Sequence, residues 1–508
     1  MIFCESDHTK REKSGVLFLN ITKVFWYAVA ICIVIVMWGS FAPDHLNNMT
    51  EAATTFIYNR FGWYYTLVIV AMVALCLFLM FSRFGHIKLG KKGDAPDFSL
   101  PAWFAMLFSA GMGIGLVFFT TAETISHAFI STPNAEPGSK QAIEESLQYT
   151  AFHWGFHGWG LYAIVALILA YFKFHKGAPG LISATLTPIF GEKAMRGTPG
   201  VIVDTLAIFA TIVGVASTLG FGSAQINSGL TFLFNAPNAY WFQLLILVAA
   251  TSLFVMSAWS GLGRGIKYLS TINMGLAALL IIMLFLAGPT MYIINMFTTS
   301  IGNYVGNFLE MSFDLKPLSP DKRQWVNDWT IFYWAWWISW APFVGMFIAR
   351  ISKGRTIRQF IAGVMLAPTL VTIIFFAVFG VSALNVEQNG MAKLSDLVTE
   401  TVTFGMYEHY PLGTAMALLT VIVIAIFFIT SADSATFVIS MFSTNGRLNP
   451  SNPVKIIWGL VLAAMAAIVM YYGGIEGFQN MLIIAALPFS IIIVLMAIAF
   501  LKTAKEEI

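Results

Sequence analysis

Residues 332–355 read FYWAWWISWAPFVGMFIARISKGR. From Phe332 to Ala349 there is no charged residue, and the stretch then turns basic at Arg350, Lys353 and Arg355. A helix that crosses a bilayer needs about 20 mostly apolar residues. Its cytoplasmic end collects Lys and Arg. The stretch therefore reads as one membrane crossing that ends on the cytoplasmic side.

Eleven more segments have the same character. With it they give twelve spans at about 23–42, 63–82, 99–122, 148–173, 200–226, 239–258, 270–296, 329–349, 357–384, 412–442, 454–473 and 477–501. Composition agrees: 58% of the chain is hydrophobic and 10% charged, against about 25% charged in soluble domains. Such a chain needs lipid as part of its solvent, and the fold class is an all-α polytopic membrane protein. The positive-inside rule tests the count. With the N-terminus cytoplasmic, the tails and even-numbered loops hold 22 of the 28 Lys and Arg residues. Losing or adding a span would scramble that alternation, so both termini are expected inside.

The domain order follows: a tail (1–22), two leading helices and a basic loop (23–98), spans 3–7 (99–296), an external connection (297–328), spans 8–12 (329–501) and a short end (502–508). The connection contains IGNYVGNFLEMSF at 301–313. Its apolar residues recur at helical spacing, so an amphipathic helix at the membrane interface is expected. The short tails leave no room for a regulatory domain, and residues 1–20 do not have the pattern of a cleaved signal. Cys4, Cys32 and Cys76 provide no disulfide framework. The net charge of +3 gives no argument for a nucleic-acid partner. No phosphate-binding loop is present, which excludes ATP hydrolysis by this chain.

Function in such a protein concentrates where a span breaks the rules, because irregular backbone at membrane depth survives only in protein or beside a cavity. Span 3 carries SAGMGIG at 109–115. Each interior glycine costs a helix roughly 1 kcal/mol, so Gly111, Gly113 and Gly115 invite unwinding there. Unwound amides can bind ions or a carboxylate; close helix packing is the competing reading. Span 8 places Trp334, Trp336, Trp337 and Trp340 within seven residues, followed by Pro342 and Phe343. Tryptophan usually marks the interface, but four on several faces of one helix beside a proline fit that role poorly. Span 4 adds Trp154, Trp159 and Tyr162. Several aromatic faces together bind quaternary ammonium, which points to a methylated ammonium ligand. Span 10 carries FFITSADSAT at 427–436. Thr430 and Ser431 offer hard oxygen ligands, and Thr211 in span 5 is a further candidate. Asp433 is a functional candidate as an intramembrane carboxylate. Glu123, His127 and Asp204 lie at span ends and are expected near the headgroups. His153 and His157 are spaced i, i+4 but lack an evident third ligand, so a metal site is not favoured.

The motifs GMGIG at 111–115, FHWGFHGWGLY at 152–162, the quoted 332–355 and FFITSADS at 427–434 resemble the betaine/choline/carnitine transporter family, over nearly the whole chain. That resemblance implies a LeuT-like five-plus-five inverted repeat made by spans 3–7 and 8–12, preceded by two extra helices. It implies a homotrimer in a bacterial inner membrane and no cofactor beyond Na⁺ as coupling ion. It assigns Trp154, Trp159, Tyr162, Trp336, Trp337, Trp340, Gly111, Met112, Gly113 and Gly115 to the substrate and Phe343 to its pathway. One sodium site would use Ser109, Met112, Phe427, Thr430 and Ser431, and a second Thr211 with Tyr162 and Phe343. Gly115 in place of an acidic residue suits a zwitterion, so glycine betaine is the expected solute and Na⁺ symport the expected mechanism. Sodium-independent exchange of carnitine-type solutes and choline uptake are the alternatives. The sequence departs from the family pattern at Val215, at TTAET (120–124) and in its short C-terminus. An enzyme would need a nucleophile, base or metal set at depth, and none is evident.

Overall fold

The computed structural model describes residues 21–507 except 92, 112, 261–262 and 448; for 108–111, 258–260 and 263–267 only the backbone is described. Eleven described helices are long and apolar enough to cross a membrane. A further apolar segment is broken in two, Leu100–Gly111 and Ile114–Ile125.

Burial sorts the helices into a centre and a rim. In the apolar middle of Lys140–His175 and of Pro320–Ile351, 94% of the residues are buried, against 17% in Tyr240–Ser257 and 22% in Tyr268–Ala287. A helix that is apolar all round belongs in such a centre or in lipid. The rim helices turn Trp241, Leu245, Met256, Ile272 and Leu286 outward, an apolar surface that lipid must cover. Span 8 packs chiefly on span 4, and the second half of span 3 packs on span 9. Span 5 packs on spans 11 and 12, and span 10 packs on spans 6 and 7.

Three of the boundaries that differ from the sequence reading have a clear local reason. The helix of span 2 starts at Pro43, twenty residues early, because Pro at N1 opens a helix whose first half is too polar to register as apolar. Span 7 ends at Ala287 rather than near 296, where Gly288 and Pro289 turn the chain. The amphipathic helix then begins at Thr290, runs to Gly306, and is followed by Phe308–Phe313. The two leave Met291, Val305 and Leu309 exposed.

On the basic face, residues 87–89 pair with 354–357: Gly354 N donates to Leu89 O at 2.7 Å and Ile357 N to Ile87 O at 2.9 Å. Arg355 lies over the Trp103 ring at 4.0 Å and donates to Phe98 O. Lys353 stands 3.7 Å from Asp94. These contacts tie the loop after span 2 to the loop after span 8.

Candidate functional site

The helix of span 3 stops at Gly111 and restarts at Ile114, with Gly113 extended at φ −131°, ψ −150°. Met112 lies outside the described residues, as does the side chain of Ser109. Gly113, Gly115 and Leu116 of the restarted half face Trp154, Thr218, Trp336, Trp337 and Trp340 around one small space. Glycines on three spans let the rings come this close. A Cβ on Gly115 would stand 2.6 Å from Trp336, one on Gly158 2.9 Å from Trp337 and one on Gly214 2.5 Å from Trp340.

Trp336 and Trp337 are parallel within 11° at 5.7 Å, and Trp154 meets Trp337 edge-on at 5.0 Å. The space they enclose is about 10 Å³, near the minimum for one water. The rings therefore have to part for anything larger. Trp337 Nε1 donates to His153 O at 2.9 Å. Trp336 Nε1, Trp340 Nε1 and Tyr162 Oη are buried without a protein partner.

The other candidates fall into two groups. Tyr162 packs edge-on to Trp337 at 5.8 Å and Trp159 onto Tyr162 at 5.7 Å, one ring behind the lining. Phe343 packs on Trp340 at 5.7 Å. The Thr430 hydroxyl donates to Ile426 O at 2.9 Å and lies 3.3 Å from Phe427 O. Ser431 Oγ lies 3.7 Å from a Cβ built on Gly113, so span 10 reaches the break in span 3. Thr211 donates back to Ala207 O. Val215 is buried, and on the same helix Thr218 reaches the lining that Thr211 does not. Asp433 is only partly buried. Asp204 is buried and accepts from Ser183 N at 2.9 Å and Ser183 Oγ at 2.6 Å. It anchors the turn at 182–185 instead of reaching toward headgroups.

Sequence reasoning missed the polar cluster behind the rings. Glu123 and His127 are fully buried, not at the headgroups. Glu123 Oε1 accepts from His153 Nδ1 at 2.7 Å and His127 Nε2 at 3.2 Å. Its Oε2 accepts from Trp154 Nε1 at 2.8 Å and Tyr333 Oη at 2.5 Å. His153 is thus a partner of Glu123 and His127, three groups near enough to hold a metal ion. His157 instead bonds Ser312 at 2.8 Å. The i, i+4 spacing of His153 and His157 drew attention to the wrong pair. The signal that could have found the right one was Glu123, a carboxylate four residues after Phe119 in an apolar run.

A second, larger cavity of about 940 Å³ opens between the lysine- and arginine-poor connections. Glu51, Asp328, Glu400 and Glu476 line it without any lining Lys or Arg, and Phe119, Gly220 and Phe478 form its floor. Phe119 meets Trp336 edge-on at 5.6 Å. Phe221 joins Trp336 to Phe478, at 5.5 and 5.6 Å. One layer of phenyl rings therefore separates this vestibule from the tryptophan-lined space.

Comparison with known proteins follows the same outline. A family model described as the betaine/carnitine/choline family transporter matches residues 23–508. The glycine betaine transporter OpuD of Bacillus subtilis is 54% identical over 488 residues, covering 96% of this chain and 95% of that protein. An ectoine/hydroxyectoine transporter of Virgibacillus pantothenticus is 39% identical, covering 95% and 96%. The betaine/ectoine transporter LcoP of Corynebacterium glutamicum is 36% identical, covering 95% and 78%.

Proposed function

This chain belongs to the betaine/carnitine/choline family of transporters, and from that premise we propose that it imports glycine betaine or a closely related trimethylammonium solute by Na⁺ symport. It is a transporter and not an enzyme. The observation that carries the reading is the ring-lined space at the break in span 3. Trp154, Trp336, Trp337 and Trp340 line it, and clustered aromatic rings attract a quaternary ammonium without a full protein charge. The half-helix starting at Ile114 directs its positive end there, which favours a carboxylate. The unpaired indole N–H groups of Trp336 and Trp340 are two more donors for that carboxylate. Gly115 leaves the site without an acidic side chain that would repel it. OpuD, the 54% identical relative, is a glycine betaine transporter, which supports the same solute.

For the coupling ion, the proximity of the Phe427 carbonyl and the Thr430 hydroxyl, with Ser431 beside the break, supports one sodium site completed by Ser109 and Met112. Thr211 and Phe343 are proposed for a second. Each charge moved down 100 mV supplies about 2.3 kcal/mol, so two Na⁺ per neutral zwitterion give roughly twice that electrical term. The packing favours a five-plus-five inverted repeat: span 8 on span 4 mirrors span 3 on span 9, and span 5 on span 12 mirrors span 10 on span 7. With the broken segment counted, twelve crossings and two cytoplasmic termini in a bacterial inner membrane complete the proposal, with a homotrimer as the assembly.

The test is uptake of radiolabelled glycine betaine into proteoliposomes under an inward Na⁺ gradient, with K⁺ as control and ectoine as a competitor. Saturable, Na⁺-dependent accumulation supports symport. Uptake indifferent to Na⁺ but stimulated by internal betaine or carnitine replaces it with exchange. Accumulation of ectoine in preference to betaine overturns the solute assignment.

A further inference from the structure

The Glu123 cluster has a hydrogen-bond arithmetic of its own. An ionised carboxylate is an acceptor only, with about four lone-pair sites. Here Glu123 is met by four groups, His153 Nδ1, His127 Nε2, Trp154 Nε1 and Tyr333 Oη. The indole can only donate, and the other three donate without strain. With both imidazoles donating, four bonds converge on the two carboxylate oxygens, the number an anion accepts.

The two imidazoles differ at their second nitrogen. His153 Nε2 shares a hydrogen bond with the Thr330 hydroxyl at 3.0 Å. His127 donates from Nε2, and its Nδ1 has no partner. The only ion pairs of Glu123 among the described residues are with these two rings. Among the described residues no Lys or Arg pairs with Glu123. A sealed charge is costly unless something compensates it.

Two of the four donors belong to the rings that form and back the tryptophan-lined space. Trp154 is in its lining. Tyr333 lies parallel to Trp336 and Trp337, at 6.1 and 5.9 Å and within 11° and 21°. Hydrogen bonding of an indole N–H to an anion also raises electron density on the ring face, which strengthens cation–π attraction.

We propose that Glu123 is a positioning and specificity-determining residue of the substrate site. Through Trp154 and Tyr333 it fixes the aromatic walls, and it supplies the negative charge that a quaternary ammonium meets across one ring. This rests on the reading of that space as the ammonium site.

The experiment compares full-length wild type, Glu123→Gln and Glu123→Asp in proteoliposomes. Radiolabelled betaine uptake is competed by unlabelled betaine and by 3,3-dimethylbutanoate, in which carbon replaces the charged nitrogen. Wild type should prefer betaine strongly. Glu123→Gln should cut that preference about tenfold, chiefly by weakening betaine, whereas Glu123→Asp should keep the preference and raise KM. Equal weakening of both competitors, or no change in their ratio, overturns the proposal and leaves Glu123 a structural residue. If neither Glu123 variant folds, Tyr333→Phe decides: the charge stays and one wall loses its tether. A KM raised about fivefold with the preference intact supports the proposal, and an unchanged KM overturns it. A wild type that does not distinguish betaine from its uncharged-head analogue refutes the ammonium reading itself, whatever Glu123 does.

Discussion

Single residues decide how close the rings come. A Cβ on Gly115 would press within 2.6 Å of Trp336, whereas one on Gly113 would meet nothing nearer than Ser431 Oγ at 3.7 Å. Overpacking of this kind costs about 1–3 kcal/mol. Gly115→Ala should therefore raise the betaine KM about tenfold, and Gly113→Ala should stay within about twofold. Parallel uptake curves check the pair, and equal effects would show that the break, and not ring clearance, sets affinity. Trp337→Phe tests a different bond. It removes the donor to His153 O, and an unsatisfied buried carbonyl costs about 1–3 kcal/mol. The expected outcome is lower thermal stability together with weaker betaine binding by intrinsic fluorescence. The aromatic residues were legible in the sequence because four Trp at 334–340 are anomalous inside an apolar helix. The Glu123 cluster was not. Its members stand on spans 3, 4 and 8, and no periodicity within one helix can bring 123, 153 and 333 together.

At the scale of elements, hydropathy reads lengths well and ends badly. The glycines of 111–115 announced an interruption, since alternating residues of poor helix propensity accumulate cost within one turn. The break at Gly155 was less visible. There Lys140–Trp154 ends and Phe156–Ala170 begins. Phe156 N, freed by the interruption, donates to Tyr304 Oη at 3.0 Å. A Cβ at 155 would stand 2.7 Å from that hydroxyl. Tyr304 belongs to the amphipathic helix Thr290–Gly306, so this helix caps a break one residue from Trp154. Its sequence displays the apolar stripe but not the tertiary bond. Tyr304→Phe leaves the Phe156 N–H unpaired, at a cost of about 1–3 kcal/mol. A lowered melting temperature of purified protein is expected, and an unchanged one would mean that the amphipathic helix only rests on span 4.

The whole molecule is asymmetric about the rings. Toward one face lies a vestibule of about 940 Å³; on the other, loops are joined by Asp94–Lys353, Arg355 over Trp103, and Lys176–Glu507 at 2.5 Å. The vestibule carries Glu51, Asp328, Glu400 and Glu476 with no lining Lys or Arg, and none of the four forms an ion pair among the described residues. A concave surface of one sign focuses its field and raises the local concentration of counter-ions. Cations should therefore accumulate ahead of the phenyl layer formed by Phe119 and Phe478. The effect is screened over a Debye length of about 8 Å at physiological ionic strength. Under the proposed Na⁺ symport, raising ionic strength with a salt that does not couple should accordingly increase the apparent KM for Na⁺ in wild type. Replacing Asp328 by Asn and Glu476 by Gln together should raise that KM severalfold at low salt and flatten its dependence on salt. Neither site lies in the ring-lined space, so the maximal rate should stay nearly constant. If the double variant keeps the wild-type salt dependence, the carboxylates are solvated surface groups, and the vestibule's charge plays no part in drawing in cations.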